Sequence, residues 1–203
     1  MDHTITRLCK VQEEVLMTIN ELRTIEIIVK WGCDGAEQNR YKQKFTDEQC
    51  SDESLFSISM VPIQMYTENN KSVRNILWQN PAPSSTRYCR PIKFVFAKET
   101  VEVINTEVDK IKDQVSLLSP TKVIVNNAEV LVKPTFIFCM IDGKVCNAVA
   151  SCASTQTCYL CGAKPSEMNN EGLILEKTVN SEFVSLGLSP LHSWIRFFEC
   201  ILH

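Results

Sequence analysis

The chain has 203 residues, of which 44% are hydrophobic and 22% charged, and its formal net charge is -3. That length suits one domain with a substantial core, or one domain and a small appendage, and the composition excludes a disordered chain. An acidic balance excludes an overall basic surface for phosphate, so a DNA contact would have to come from a local patch.

No apolar run approaches the roughly 20 residues of a membrane span. The N-terminal stretch "MDHTITRLCKVQEEVL" is too charged for the apolar segment of a signal peptide, so an intracellular chain with no membrane partner is expected. Ten cysteines raise the alternative of a secreted disulfide scaffold. Several of them lie in apolar runs, "FIFCMI" and "FFECIL", and read better as buried thiols in a reducing compartment.

Apolar residues Ile5, Leu8, Val15, Ile19 and Leu22 recur at helical period, predicting an amphipathic helix over 5–22. "TIEIIVKW" at 24–31 is a β-branched run punctuated by Gly32 and Gly35, hence a buried strand followed by a turn. Asp34 then stands at the end of that strand. A polar loop follows, and "LFSISMVPIQMY" at 55–66 predicts a second strand in which Pro62 implies a bend or an edge. The stretch "TENNKSVRNILWQNPAPSSTRYCR" reads as another polar loop, leading to a third strand, "PIKFVFA", at 91–97.

Val101, Ile104, Val108, Ile111, Val115 and Leu118 are spaced by three and four residues, which predicts an amphipathic helix stopped by Pro120. "TKVIVN" and "AEVLVKPTFIFCMID" are strand-like, and the second ends at Asp142, again followed by glycine.

Asp34 and Asp142 both close β-type runs. If their strands are neighbours in one sheet, the two carboxylates meet at one edge, and paired hard oxygens are what Mg²⁺ takes. Two such ions, about 3.5–4 Å apart, serve phosphoryl transfer. The plain alternative is that each Asp-Gly starts a turn. Cys158 and Cys161, in "TQTCYLCGAKP", have the spacing of two corners of a tetrahedral zinc site. Further corners would have to come from His192, Cys200 and His203. The competing readings are a redox pair and two buried thiols.

Four segments in order, "KWGCDG", "CRPIKFVFAKET", "FIFCMIDGKVCNAV" and "CYLCGAKPSEMNN", resemble the catalytic core of Transib-type DNA transposases and of the related V(D)J recombinase. "LHSWIRFFECILH" resembles the stretch that follows in the Transib branch. The resemblance spans about residues 28–203 and implies an α/β ribonuclease-H-like fold, a mixed sheet with flanking helices, of the kind found in retroviral integrases. Three strands, a helix and a strand fit that order. The resemblance implies that Asp34 and Asp142 are the first two of three metal-binding carboxylates, using Mg²⁺ or Mn²⁺, with Asp142 at the end of the fourth strand. It also implies that Cys158 and Cys161 are the cysteine half of a zinc site.

The third carboxylate and the zinc histidines lie much further along in that family and are not placed in this chain, so the fold is expected to be incomplete. The expected organisation is a helix over 1–23, the first part of the catalytic core over 24–150, and a C-x-x-C segment with the start of a helical insertion over 151–203. The implied reaction is metal-dependent DNA strand cleavage with hairpin formation and strand transfer at transposon ends, in the nucleus. A chain lacking the third ligand is expected to be inactive alone. The alternative is a non-enzymatic regulatory module that pairs with a full-length transposase or another protein, or with itself. An apolar stripe of Leu191, Ile195, Phe198 and Leu202 favours it. Lys30, Arg40, Lys42 and Lys44 are candidate backbone contacts near Asp34, although exposed lysines in loops commonly serve solubility.

Overall fold

The computed structural model describes residues 1–17, 24–37, 53–68, 73–125, 127–154 and 156–187, together with 194 and 198. In chain order its elements begin with helices α1 (Asp2–Val11) and α2 (Glu13–Met17) and strands β1 (Thr24–Glu37), β2 (Ser54–Glu68), β3 (Arg74–Gln79) and β4 (Arg90–Val95). Helix α3 (Val101–Ser116), strands β5 (Thr121–Val125) and β6 (Ala128–Phe138), and helices α4 (Gly143–Val149), α5 (Glu171–Leu175) and α6 (Ser181–Val184) follow. The strands form one sheet in the order β3-β2-β1-β6-β5, with β4 paired to β2. Sheet and helices together give the expected α/β class, a mixed sheet with flanking helices. Strands β1 and β6, which lead to the two aspartates, are neighbours. Among the described residues no helix is long and apolar enough to cross a membrane.

Packing divides the chain into two compact units. The first comprises Met1–Lys30, Met60–Arg90 and Asp113–Ile137. Alternation in β1 buries Ile25, Ile27 and Val29 completely, as a period of two requires. α1 buries Ile5 and Cys9, four residues apart, and packs on β5. The expected single helix over 5–22 is broken at Gln12, and the packed face is Ile5, Cys9 and Leu16, whereas Val15 is exposed. Its last part, including Ile19 and Leu22, lies outside the described residues. β5 and β6 form a hairpin whose register pairs Val125 with Ala128. Asn127 adopts a left-handed backbone there (φ 61°), as tight hairpins demand.

The stretch expected to be a loop after Glu68 contains β3, which pairs antiparallel with β2 from Gln64↔Gln79 to Glu68↔Arg74. Its apolar core, Ile76-Leu77-Trp78, is too short to stand out between polar flanks. Pro62 is not on an edge, because β2 has neighbours on both sides. It lies just beyond the last β3-paired residue, where Asn80 Nδ2 donates to its carbonyl at 2.8 Å.

The second unit comprises Trp31–Ser59, Pro91–Lys112 and Phe138–His203. Trp31, Cys33, Phe56, Ile58, Ile104, Val108, Val145, Cys146 and Ala148 are buried there. α3 is clipped to β4 by Glu107, a buried carboxylate held by Lys93 at 2.5 Å and Lys110 at 2.9 Å. Charge-assisted bonds from Lys110 and Lys93 hold its carboxyl below the ordinary value, against the opposing effect of burial.

β1 does not end in a turn at Gly32 and Gly35 but runs on to Glu37. Gly32 is there for proximity. A Cβ built on it would stand 1.9 Å from the carbonyl oxygen of Met140. Directly before it, the Trp31 carbonyl accepts from the backbone N–H of both Cys139 and Met140 at 3.1 Å, and the Trp31 and Phe138 rings lie 4.4 Å apart. The substitution Gly32→Ala is therefore expected to cost about 1–3 kcal/mol, as forced overpacking does, in urea unfolding. Gly143→Ala, at a position with nothing within 4 Å of the added carbon, is expected to be neutral or slightly stabilising at the start of α4.

Candidate active site

The close approach at Gly32 fixes where the two aspartates stand, since Asp34 is two residues beyond Gly32 and Asp142 two beyond Met140. Asp34 lies on the extended end of β1 with its side chain largely facing solvent, and its carbonyl accepts from Ser57 Oγ at 3.2 Å. Asp142 is the N-cap of α4, and its Oδ1 accepts from the Val145 N–H at 2.8 Å. The cap satisfies one of the helix's unpaired donors and leaves Oδ2 to the site. Neither Asp-Gly pair makes the turn that local chemistry offered as the alternative.

A third acid joins them. Glu99, between β4 and α3, precedes Thr100, whose Oγ1 accepts from the Val103 N–H at 3.2 Å at the start of α3. The Glu99 side chain is only 11% exposed, and it rests on Gly35, where an added Cβ would come within 2.6 Å of the Glu99 Cβ. One carboxylate oxygen, Oε2, accepts from Lys144 Nζ at 2.5 Å. The other, Oε1, is buried without a partner. An orphaned buried carboxylate oxygen is costly in an apolar setting and typical of a site prepared for a cation.

Asp34 senses the two other acids. Burial, followed by the charges of Asp142 and Glu99, pushes the Asp34 carboxyl above its ordinary value, with the Gly35 N–H and Lys144 opposing. The hydrogen bond to Glu99 pushes Lys144 up. Beneath them the Cys33 thiol is driven to about 12 by burial and by the charges of Glu99, Asp34 and Asp142, and burial lifts Cys146 to about 11. Both thiols stay protonated, unreactive packing groups. Among the described residues no group of three or more His, Cys, Asp or Glu converges tightly enough to hold a metal. Asp142 Oδ1 is engaged by its helix, and Glu99 Oε2 by Lys144. The donor set nonetheless fits a hard dication, which takes carboxylate oxygens: the Asp34 carboxylate, Asp142 Oδ2 and the orphaned Glu99 Oε1.

The family model of the recombination-activation protein 1 (RAG1) RNase H domain matches residues 27–153. The chain belongs to this family. The match takes in Asp34, Glu99 and Asp142 and stops short of the C-x-x-C pair. No curated protein matches the chain. Membership ties the chain to the catalytic region of a recombinase, and RNase-H-like recombinase domains generally use divalent metals.

The sequence singled out Asp34 and Asp142 and missed Glu99. Its position inside "FAKET" was the available signal, but "KET" also reads as an ordinary polar helix start. Cys158 and Cys161 are half-buried free thiols in a knuckle closed by Gly162 N–H to the Cys158 carbonyl at 2.8 Å, and by Cys158 N–H to the Ala163 carbonyl at 2.9 Å. Gly162 supplies the left-handed backbone (φ 70°) that this closure needs. The pair has the donors for half a zinc site. His192, Cys200 and His203 lie outside the described residues, as do Arg40, Lys42 and Lys44 and, of the expected apolar stripe, Leu191, Ile195 and Leu202. Among the described cysteines, Cys9, Cys33 and Cys146 are buried free thiols, whereas Cys139, in the apolar run "FIFCMI", is half-buried.

A carboxyl raised on folding adds stability that is fully present below its unfolded pKa and is lost as pH rises through the folded one. Asp34→Asn is therefore expected to raise the Tm of the metal-free protein at pH 7. The gain is limited to about 4 °C, because a carboxylate half in solvent loses less than about 1 kcal/mol to its neighbours. The difference should close as pH falls toward about 3.9, checked by thermal scans across pH.

Proposed function

We propose that this chain carries the metal-dependent cleavage centre of a DDE-type recombinase or transposase of the Transib and V(D)J kind, with DNA as substrate. The observation that carries the reading is the orphaned, buried Oε1 of Glu99 beside Asp34 and Asp142, three carboxylates assembled in a family of recombinase RNase H domains. Asp34, Asp142 and Glu99 would hold Mg²⁺ or Mn²⁺. Such ions, when bound, supply Lewis-acid activation of phosphoryl transfer.

The chain's own residues prepare that chemistry. Cys33 and Cys146 close the floor of the site with protonated thiols and admit no charge of their own. Lys144 offsets the charge of Glu99, so that three acids can share one neighbourhood before a cation arrives. Asp142, pinned by its cap bonds to α4, has its side-chain torsions fixed before substrate binds, which is the preorganisation that phosphoryl transfer rewards. Glu99 is proposed as a further acid at this centre, distinct from the family's third carboxylate, which the resemblance puts much further along. The Cys158 and Cys161 thiols are proposed as half of a zinc site.

Nicking of supercoiled DNA in Mn²⁺ tests the reading. Metal-dependent nicking is expected, falling by about 100-fold in Asp34→Ala and in Asp142→Ala, as misplacement of a reacting group does. Nicking that survives both substitutions unchanged, or that proceeds equally in chelator, would contradict it.

A further inference from the structure

α1 has one face committed to the core and one left over. Ile5 and Cys9 are buried, so His3, Thr4, Arg7, Leu8 and Val11, at the complementary helical positions, line the wall of a groove of about 340 Å³. The facing wall is Pro62, Trp78, Tyr88 and Arg90, all within the first compact unit. That volume lies in the range of small-ligand sites.

The facing wall is held rigidly. Asn80 ties the turn after β3 by donating to the Pro62 carbonyl at 2.8 Å and accepting from the Ala82 N–H at 2.9 Å. Ser85 Oγ accepts from the Arg87 N–H at 3.2 Å and caps the short 3-10 turn, Thr86–Tyr88, that carries Tyr88. The Trp78 and Tyr88 rings stand 6.4 Å apart at a tilt of 55°, and both residues are half-buried. Arg90 is locked by its Nη1, which donates to the carbonyls of Arg87 at 2.9 Å and Cys89 at 3.0 Å. Its Nε and Nη2 donors remain for a ligand.

Among the described residues, Arg7 and Arg90 line the groove with positive charge, His3 stands with them, and no acid lines it. Asp2, the acid on the same helix, is engaged with Thr121 Oγ1 at 2.7 Å. Two aromatic rings beside two guanidinium groups match the two halves of a nucleotide, a planar base and a phosphate.

We infer that this groove binds a single-stranded nucleic-acid segment, with Arg7 and Arg90 on its phosphates and Trp78 and Tyr88 against its bases. The choice of nucleic acid over a phosphorylated peptide rests on the recombinase reading above. A single strand is favoured over a duplex because only unstacked bases offer their faces to aromatic rings. The groove gives an acidic chain the local basic patch that its net charge withholds.

Fluorescence anisotropy with labelled octathymidylate tests the inference, with circular dichroism confirming that each variant is folded. The wild-type chain should bind. Arg7→Ala with Arg90→Ala should weaken binding at least 10-fold and reduce the slope of log affinity against log salt by about 1.4, two phosphates at about 0.7 each. Trp78→Leu should weaken binding by at least about 5-fold, and Arg7→Lys with Arg90→Lys should retain most of it. No binding by the wild-type chain, unchanged binding by the double alanine variant, or tighter binding of a phosphoserine peptide than of the oligonucleotide would overturn the groove. Oligonucleotide held at the groove by a chain that shows no Mn²⁺-dependent nicking would refute the cleavage reading and keep the groove, and nicking with no binding at the groove would do the reverse.

Discussion

One backbone contact sets the geometry of the acidic site: Gly32 against the carbonyl of Met140, an approach that leaves no room for a Cβ. The Trp31 carbonyl, accepting from two successive N–H groups of the 139–140 segment, holds that approach, and the Trp31 and Phe138 rings, tilted against each other at 4.4 Å, back it. Each aspartate is two residues further along its own segment, so the contact determines that they stand together. Backbone hydrogen bonds and packing are cheap ways to assemble like charges, because the energy comes from groups that are not themselves repelling one another.

The assembly has a cost that the structure shows. Asp34 is harder to ionise than a free aspartate, Glu99 keeps an oxygen without a partner, and two thiols beneath are pushed far from reactivity. Folding alone gives no return for crowding three acids into half-buried space. A dication would, since it satisfies the orphaned oxygen and reverses the repulsion at once. Lys144 is a partial substitute, a single positive charge held on Glu99. Functional sites commonly break local rules of stability in this way.

The β-branched run at 24–31 announced β1, and the spacing of Ile104, Val108 and Ile111 announced α3, because burial acts on composition and periodicity directly. β3 was not legible, since its three apolar residues are flanked by polar ones and its place comes from pairing with β2. The continuation of β1 through "GCDG" was hidden for the opposite reason: Gly32 is packed against the Met140 backbone and Gly35 against the Glu99 side chain, and close approach leaves no mark in one sequence. Asp34 and Asp142 were found through their strand ends and through resemblance. Glu99 was not, because its place beside Gly35 comes from a contact across 64 positions of chain, and pattern within a segment carries no such information.

Mn²⁺ binding measured by electron paramagnetic resonance tests the central claim most directly, that Asp34, Glu99 and Asp142 form one cation site. Free Mn²⁺ signal should fall on adding the wild-type chain, and Glu99→Gln, Asp34→Asn and Asp142→Asn should each weaken that binding by about 10-fold or more, the effect of about 1.4 kcal/mol for one lost carboxylate ligand. Binding that all three substitutions leave unchanged, or binding lost with Asp34 and Asp142 but indifferent to Glu99, would contradict it.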